Sequence, residues 1–263
     1  MTRKLKRSKD FEIVLQVKND DFIRPPREAQ RNWLLNRAIT EFADDLMDLD
    51  PLAKRFVPGR DGADVRDHSQ ARLTEQEIME DWQIPVMQEM ARVVTESHGD
   101  VLEVGFGRGV SSRFIQECGV KSHTIIECND HIFEDLQKWR AGFGERDIRP
   151  VRGMWQDTVG KLGMFDGIFF HTYPLNEEEH QEYVVKSKTF AEHFFPTAAA
   201  HLRPGGIFTY LTNEIDSFSR GHQRLVFKYF RSFTLKLVGA LKVPERCIDT
   251  LWADSMVVIK AVK

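Results

Sequence analysis

Short apolar runs alternate with amphipathic, helix-length segments from about residue 74 to the end of the chain. The runs are rich in Val, Ile and Phe and predict strands at 101–104, 124–127, 148–152, 165–170 and 207–211. The segments between them carry apolar residues every three or four positions, which predicts helices. This alternation is typical of an α/β fold with a mainly parallel sheet. Two further strands, near 233–238 and 256–262, predict a closing antiparallel pair and hence seven strands.

The segment before the first of these strands begins with a predicted capping box. Thr74 and Glu77 have the spacing at which the threonine accepts from the helix backbone and the glutamate reaches back. Apolar residues then continue at helical spacing to Val94. Pro85 lacks the N–H that a continuing helix needs, so the sequence predicts a break or kink near Gln83. Because this helix leads directly into the strand at 101–104, we expect it to lie close to the glycine turn that follows this strand, a candidate ligand site described below.

The first quarter of the chain has a different pattern. It starts with the basic run Arg3–Arg7, for which a solvated tail is the simplest interpretation, and Phe11–Val17 then alternates apolar and polar residues. The alternation favours a short strand or a docking arm. After a double proline, apolar residues recur at helical spacing over 28–49, which predicts a long amphipathic helix.

The length of 263 residues suits one large α/β domain with an extension and is too short for two full domains. We predict that residues 1–73 form an N-terminal helical extension. It would cover the site as a lid or pair with a second subunit in a homodimer. Residues 74–263 would form the main domain.

The composition excludes several classes of protein. The net charge of −3 gives no reason to expect nucleic-acid binding. No apolar run approaches the ~20 residues of a membrane span, and the N-terminus lacks the apolar core of a signal peptide. Three widely separated cysteines, Cys118, Cys128 and Cys247, predict free thiols in a reducing, cytoplasmic environment. The histidines are scattered, so no metal site is expected.

The strongest local signal is Val101–Gly109, in which an apolar run ends in Glu103 and a Gly-x-Gly-x-Gly turn. A second run ends one helix-length later in Glu127. Ligands of open α/β sheets bind outside the carboxyl ends of the strands, and the glycines Gly105 and Gly107 let the backbone approach a ligand closely. A carboxylate at the tip of the second strand is placed to accept hydrogen bonds from two ribose hydroxyls.

Two ligand classes compete for this unit. Dinucleotide sites use Gly-x-Gly-x-x-Gly, whereas here the spacing is shorter and Glu103 stands just before the glycines. A negative residue suits a cationic ligand better than a pyrophosphate. The sequence therefore favours S-adenosylmethionine, which has a sulfonium, an amine and a ribose but no phosphate. A turn without a ligand would leave the position of Glu127 unexplained.

Six strings of this sequence resemble one family, the guanidinoacetate N-methyltransferases. They are Met79–Met87, Val101–Gly107, Ile125–Asp130, Gly153–Asp157, Thr172–Leu175 and Pro204–Gly206. The glycine motif occurs in many methyltransferases, whereas Ile-Ile-Glu-Cys-Asn-Asp and Thr-Tyr-Pro-Leu are far more specific. The resemblance implies the Rossmann-like, seven-stranded sheet of class I methyltransferases, with S-adenosylmethionine as the cofactor.

The resemblance also implies which residues bind the cofactor. Those implied for its methionyl and ribose parts are Glu103, Gly105, Gly107 and Glu127, and Cys128 is a further predicted cofactor-binding residue. Trp155 and Gln156 are implied to line the adenine pocket, and Trp82 and Met87 are implied to lie beside the methyl donor. His171 is also predicted to bind the cofactor. Without the resemblance, plain core packing would be the better interpretation of both tryptophans.

The sequence departs from the family at the two acids that hold the guanidinium, where Gln83 and His171 stand instead. A guanidinium is held well by anionic, forked acceptors, which an amide and an imidazole do not provide. We therefore predict that guanidinoacetate is not the substrate. The predicted catalytic residues are Gln83, His171 and Tyr173, with His171 as either a base near neutral pH or an orienting group. The predicted substrate-binding residues are Gln83, His171, Tyr210 and Asn213.

Three functions stay open on the sequence. The first is methyl transfer from S-adenosylmethionine to the N, S or O atom of a small amino-acid-like molecule. The second is a cyclase that makes a cyclic amino acid and methylthioadenosine from the same cofactor. The third is a non-catalytic cofactor-binding protein, which the intact glycine motif disfavours.

Overall fold

The computed structural model describes residues 2–7, 11–16, 71–212, 218–243 and 255–263. An antiparallel hairpin of β1 (Thr2–Arg7) and β2 (Phe11–Gln16) stands at the N-terminus. Seven strands form one sheet: β3 (Asp100–Val104), β4 (Ser122–Glu127), β5 (Ile148–Arg152), β6 (Phe165–Phe170), β7 (Leu202–Tyr210), β8 (Ser232–Val238) and β9 (Met256–Val262).

The strand order in this sheet is β5-β4-β3-β6-β7-β9-β8. The five strands β5, β4, β3, β6 and β7 run parallel to one another. Strand β9 pairs antiparallel with both β7 and β8. The predicted α/β fold with a closing antiparallel pair is therefore confirmed. The helices are α1 (Glu75–Ile78), α2 (Ile84–Val94), α3 (Val110–Glu117), α4 (Asp130–Ala141), α5 (Trp155–Thr158), α6 (Glu177–His180), α7 (Phe195–His201) and α8 (Arg220–Tyr229).

The predicted capping box and proline break are both present before the sheet. Thr74 accepts from the Glu77 N–H while the Glu77 carboxylate accepts from the Thr74 N–H, and this box closes the start of α1. A 3₁₀ turn, Asp81–Gln83, separates α1 from α2. Pro85 stands in the first turn of α2, where its missing N–H has no helical partner to lose. The proline therefore begins a helix instead of kinking one.

The core lies on both faces of the sheet, as the uninterrupted apolar run of β6 predicts. Ile168 and Phe170 face one cluster, in which Phe170 stacks on Phe194 with ring centroids 4.4 Å apart. Phe169 faces the other cluster, together with Met87 of α2. Each such burial contributes about 1.5–3 kcal/mol. The strands that carry the site are thereby fixed from both sides.

Two segments differ from the sequence prediction. The sequence over 177–202 predicts a mostly helical segment, and the structure divides it into α6, a π-helical turn (Gln181–Val185), a 3₁₀ turn (Phe190–Phe194) and α7. Pro196 explains the last break, since it must stand in the first turn of a new helix. The sequence Arg-Pro-Gly-Gly at 203–206 predicts a turn before the strand at 207–211. The glycine pair instead belongs to β7, because Gly205 donates to the carbonyl of Lys263 and Gly206 accepts from the Lys263 N–H.

The N-terminal prediction is corrected in part. Thr2–Arg7, expected as a solvated tail, is a strand, because the edge of β2 offers it unpaired backbone groups. The predicted helix over 28–49 and most of the extension over 1–73 lie outside the described residues, as does Cys247. Cys118 and Cys128 are free thiols. Within the described ranges, no helix has the length and apolar character to cross a membrane.

Candidate cofactor and acceptor site

A cavity of about 370 Å³ lies at the carboxyl ends of β3, β4, β5 and β6. From β3 the chain proceeds to β4 and β5 on one side, and then returns to β6 and β7 on the other. The cavity therefore lies at the topological switch point, where ligands of open α/β sheets bind. Its walls include the glycine turn after β3 and the residues that directly follow β4, β5 and β6.

Gly105 fits the glycine turn between two neighbouring strands. Its N–H donates to the carbonyl of Ile126 at the end of β4, at 2.9 Å. Its φ is 93°, and a Cβ there would lie 2.2 Å from the carbonyl oxygen of His171, beyond β6. L side chains rarely adopt this backbone conformation. The protein's own packing thus requires glycine here, whereas the sequence suggested that the ligand does.

Glu127 ends β4 and faces the cavity. One carboxylate oxygen accepts from the Phe106 N–H at 2.9 Å, and the other accepts from the Asn129 N–H at 2.8 Å. Burial raises the pKa of the Glu127 carboxyl, and its backbone hydrogen bonds partly offset this effect. Carboxylate oxygens have further lone pairs, so the group can also accept from ligand hydroxyls while it holds the glycine turn.

The structure brings eight predicted site residues together around the cavity. They are Gly105, Gly107, Glu127, Cys128, Trp155, Gln156, His171 and Tyr173. Trp155 stands at the start of α5 and packs edge-on against Phe194, with ring centroids 4.9 Å apart. It therefore offers a half-buried aromatic face beyond the end of β5.

His171 and Tyr173 follow β6 on the other side of the glycine turn. The Nε2 atom of His171 is buried and has no hydrogen-bond partner in the described part of the chain. Burial lowers the pKa of the His171 imidazole from 6.5 to about 4. The two rings have centroids 5.7 Å apart. At neutral pH the cavity wall here is an uncharged imidazole with an open nitrogen.

Gln83 lies behind Tyr173 and does not line the cavity directly. Burial raises the pKa of the Tyr173 hydroxyl, and a hydrogen bond with the Gln83 side chain partly offsets this effect. Gln83 is almost fully buried, and its Oε1 has no hydrogen-bond partner among the described residues. The Gln83 amide is therefore linked to the cavity only indirectly, through its hydrogen bond with Tyr173.

Four other predicted residues lie outside the cavity lining. Trp82 and Met87 are buried in the packing of α2 against the sheet, which agrees with core packing and not with a wall beside the methyl donor. Tyr210 is fully buried, with its hydroxyl 2.6 Å from Nε2 of His222. It cannot reach a substrate in this arrangement. Asn213 lies outside the described residues.

The fourth residue outside the lining, after Trp82, Met87 and Tyr210, is Glu103, which was expected to contact the cofactor. Its fully buried carboxylate accepts from the hydroxyls of Ser111 and Ser112 in the first turn of α3. Nε2 of His123 lies 3.0 Å from the same group. Because side chains alternate across a strand, Glu103 points away from Leu102 and Val104 and towards α3. The acid fixes the helix that follows the glycine turn.

Several residues around the cavity were not predicted. Arg108 of the glycine turn donates to the carbonyl of Met79 and to Asp81, both at 2.8 Å, and so holds the segment before α2 against the turn. Sequence reasoning could not find this link, because its partners are more than 25 positions away. The lining also includes Glu179 and His180 of α6 and, from the following 3₁₀ turn, Phe190 and His193.

This lining fits S-adenosylmethionine. The carboxylate of Glu127 suits a ribose, and Trp155 offers an aromatic face to an adenine. Arg108, a cationic side chain of the lining, is already bonded to acceptors of the segment before α2. It therefore does not oppose a cationic ligand. Within the described residues, no three His, Cys, Asp or Glu side chains are arranged to hold a metal ion.

Glu127→Gln should weaken binding of S-adenosylhomocysteine by about tenfold or more. A hydrogen bond to a charged group contributes about 1.5–3 kcal/mol, and the amide also turns a donor towards the N–H of Phe106 or Asn129. Calorimetric titration measures the affinity, and thermal unfolding reports whether the turn is disturbed. Glu134→Gln, at an exposed position on α4, is the control. Equal affinities of both variants would contradict the assignment.

Comparison with known proteins gives two kinds of match. The family profile of guanidinoacetate N-methyltransferase matches residues 60–250, well over half of the chain. The protein arginine N-methyltransferase 2 of Aspergillus oryzae is 31% identical over 121 residues, which are 43% of this chain and 29% of that protein. The corresponding protein of Yarrowia lipolytica is 30% identical over 145 residues, 51% of this chain and 28% of that protein. The chain thus spans less than a third of these relatives.

Solved structures with similar chains are more distant. An O-methyltransferase from Bacillus cereus in complex with S-adenosylhomocysteine is 15% identical, with a TM-score of 0.44, over 92% of this chain and 93% of that one. Spermidine synthase from Thermotoga maritima is 19% identical, with a TM-score of 0.48, over 69% and 60%. The family match carries the assignment: the chain belongs to the guanidinoacetate N-methyltransferase family and is a class I, S-adenosylmethionine-dependent methyltransferase.

Proposed function

We propose that this methyltransferase acts on a small amino-acid-like molecule whose acceptor atom is a thioether sulfur or a neutral amine, and that guanidines are poor substrates. The observation that carries this proposal is the pair of uncharged side chains at positions 83 and 171. Gln83 and His171 stand at the two positions where the family resemblance implies acids. Oε1 of Gln83 and Nε2 of His171 are buried and have no hydrogen-bond partner within the described residues, and His171 also lines the cavity.

The charge state of His171 supports the exclusion of guanidines. With a pKa of about 4, its imidazole is neutral at physiological pH. It therefore offers one donor and one acceptor nitrogen in place of two anionic oxygens. A guanidinium has five N–H donors in a planar fork and no acceptor. A guanidinium placed beside positions 83 and 171 would leave the donors that face them without anionic partners, which is unfavourable in a buried site.

The relatives named protein arginine N-methyltransferase 2 raise a protein substrate as an alternative. The side chain of a protein arginine carries the same guanidinium, so the same argument disfavours it here. The cavity volume of about 370 Å³ is also near the lower end of the range for small-ligand sites. Little room is left beside a cofactor, which favours a small acceptor.

The residues of the chain contribute mainly by positioning. S-adenosylmethionine supplies an electrophilic methyl group on its sulfonium when it is bound. Glu127 and the glycine turn hold the cofactor side of the cavity, and Tyr173 and His171 bound the acceptor side. Placing a lone pair in line with a methyl group removes much of the entropic barrier. A thioether needs no base, which agrees with an imidazole whose pKa is far below neutral.

A product screen tests the proposal. Purified protein is incubated with S-adenosylmethionine and, one at a time, amino acids including methionine, small amines, guanidinoacetate and an arginine-containing peptide. We expect S-adenosylhomocysteine to form only with a small amino-acid-like acceptor, and not in the Glu127→Gln variant. Efficient turnover of guanidinoacetate or of the peptide would overturn the proposal. Methylthioadenosine formed from the cofactor alone would instead identify the cyclisation reaction.

The pH dependence of turnover should reflect the lowered pKa of His171. Between about pH 5.5 and 8 the imidazole stays neutral. The acid limb of the pH–rate profile should therefore lie near pH 4 and not at the pH of 6–7 expected for an ordinary histidine. His171→Gln should lower the rate without changing the profile in this window. A limb near pH 6–7 that the variant lacks would contradict the burial of this ring.

The same shift affects stability. The unfolded chain binds a proton near pH 6.5 that the folded chain does not bind until about pH 4. Stability should therefore fall as the pH drops through this range. Thermal unfolding of His171→Gln should show a smaller loss over the same range.

A further inference from the structure

We propose that Glu179 and His180 form a binding site for the amino-acid head group of the acceptor, with Glu179 holding the ammonium group. This inference rests on the proposed function, because it assigns a subsite to the same acceptor. Neither residue belongs to the matched strings of the family resemblance. Both line the cavity next to the loop that follows β6.

The carboxylate of Glu179 is held in one place by its surroundings. One of its oxygens accepts from the Leu175 N–H at 2.9 Å, and its own N–H donates to the side chain of Asn176 at 2.9 Å. The residue is only partly exposed. The second carboxylate oxygen has no partner in these contacts. A fixed, half-buried carboxylate at a cavity wall suits an ammonium group.

His180 provides the second polar group of the proposed head-group site. Its Nδ1 is buried and lacks a hydrogen-bond partner within the described residues, as does Nε2 of His171 in the same lining. A buried polar atom without a partner is unfavourable, and a ligand that bonds to it removes this penalty. The neighbouring Gln181–Val185 segment is a π-helical turn. Such turns are rare in proteins as a whole, but they occur often at functional sites.

The topology places this subsite on the acceptor side. Glu127 ends β4, on one side of the switch point, and α6 follows β6 on the other side. A cofactor whose ribose lies at Glu127 leaves the β6 side for the second substrate. The stack of Tyr183 on His193, with ring centroids 4.1 Å apart, packs the segment after α6 against a residue of the cavity wall.

Glu179→Gln isolates the charge, because the amide oxygen can still accept from the Leu175 N–H. Glu178→Gln is the matched control, since Glu178 is exposed and does not line the cavity. The probes are L-methionine and its desamino analogue, 4-(methylthio)butanoate, titrated calorimetrically into protein saturated with S-adenosylhomocysteine. We expect Glu179→Gln to weaken methionine binding by about tenfold or more. Binding of the analogue and of S-adenosylhomocysteine should not change.

Equal methionine affinities of the two variants would overturn the inference, as would a wild-type complex that binds no methionine. An equal loss of S-adenosylhomocysteine affinity in Glu179→Gln would also overturn it, because the carboxylate would then serve the cofactor. Failure of the proposed function looks different. If the proposed function is wrong, the product screen identifies a guanidine, a peptide or the cofactor itself as the substrate. That outcome does not depend on how Glu179→Gln changes methionine affinity.

Discussion

Gly105→Ala should abolish measurable cofactor binding and lower the free energy of unfolding by roughly 2–5 kcal/mol. The new Cβ would lie 2.2 Å from the carbonyl oxygen of His171, a backbone atom that cannot swing aside. The φ of 93° adds strain of its own. The turn must therefore move away from β6, and with it the N–H groups that bind Glu127. Chemical denaturation measures stability, and calorimetry with S-adenosylhomocysteine at low temperature measures binding.

Gly119→Ala separates the effect of the close contact from the effect of the positive φ. Gly119 also has a positive φ, 71°, but a Cβ there would meet nothing within 4 Å. This control should lose only about 1–2 kcal/mol and should bind the cofactor normally. If Gly105→Ala behaves like Gly119→Ala, the close contact between the glycine turn and β6 does not constrain the site.

Much of the fold could be predicted from the sequence because buried parallel strands leave an unmistakable pattern. The strand Phe165–Phe170 is predicted to the residue, since both of its faces are buried and its run is uninterrupted. The segment after Glu177 is not, because its polar and apolar residues are compatible with one helix. The last of its breaks depends on Pro196, which stands in the first turn of α7.

The site divides in a similar way. Residues at the carboxyl end of a strand, such as Glu127, or shortly after it, such as Trp155, reach the cavity because the carboxyl ends of parallel strands meet at one edge. Glu103 does not, because it lies within its strand, one position before the last residue, on the face covered by α3. Arg108 acts through a contact with the carbonyl of Met79, 29 positions away, which no local pattern encodes.

Restoring two acids should create a guanidine site. The double variant Gln83→Glu, His171→Asp is expected to bind guanidinoacetate measurably in the presence of S-adenosylhomocysteine, because each hydrogen bond to a charged group contributes about 1.5–3 kcal/mol. The wild type should bind it weakly. Without ligand, the double variant should unfold at a lower temperature. Position 83 is almost fully buried, and an unpaired charge there is unfavourable.

A ligand control separates charge recognition from shape. Hydantoate has a neutral urea in place of the guanidinium of guanidinoacetate and nearly the same outline. If two carboxylates recognise the cation, the double variant should prefer guanidinoacetate to hydantoate by about tenfold or more, and guanidinoacetate should raise its unfolding temperature. The single variants should show less than half of this preference in free energy, because one acid alone leaves part of the fork unpaired. A double variant that does not distinguish the two ligands would mean that positions 83 and 171 do not face the acceptor. Efficient methylation of guanidinoacetate by the wild type would show that a neutral wall suffices for this cation, and the argument from charge would fail.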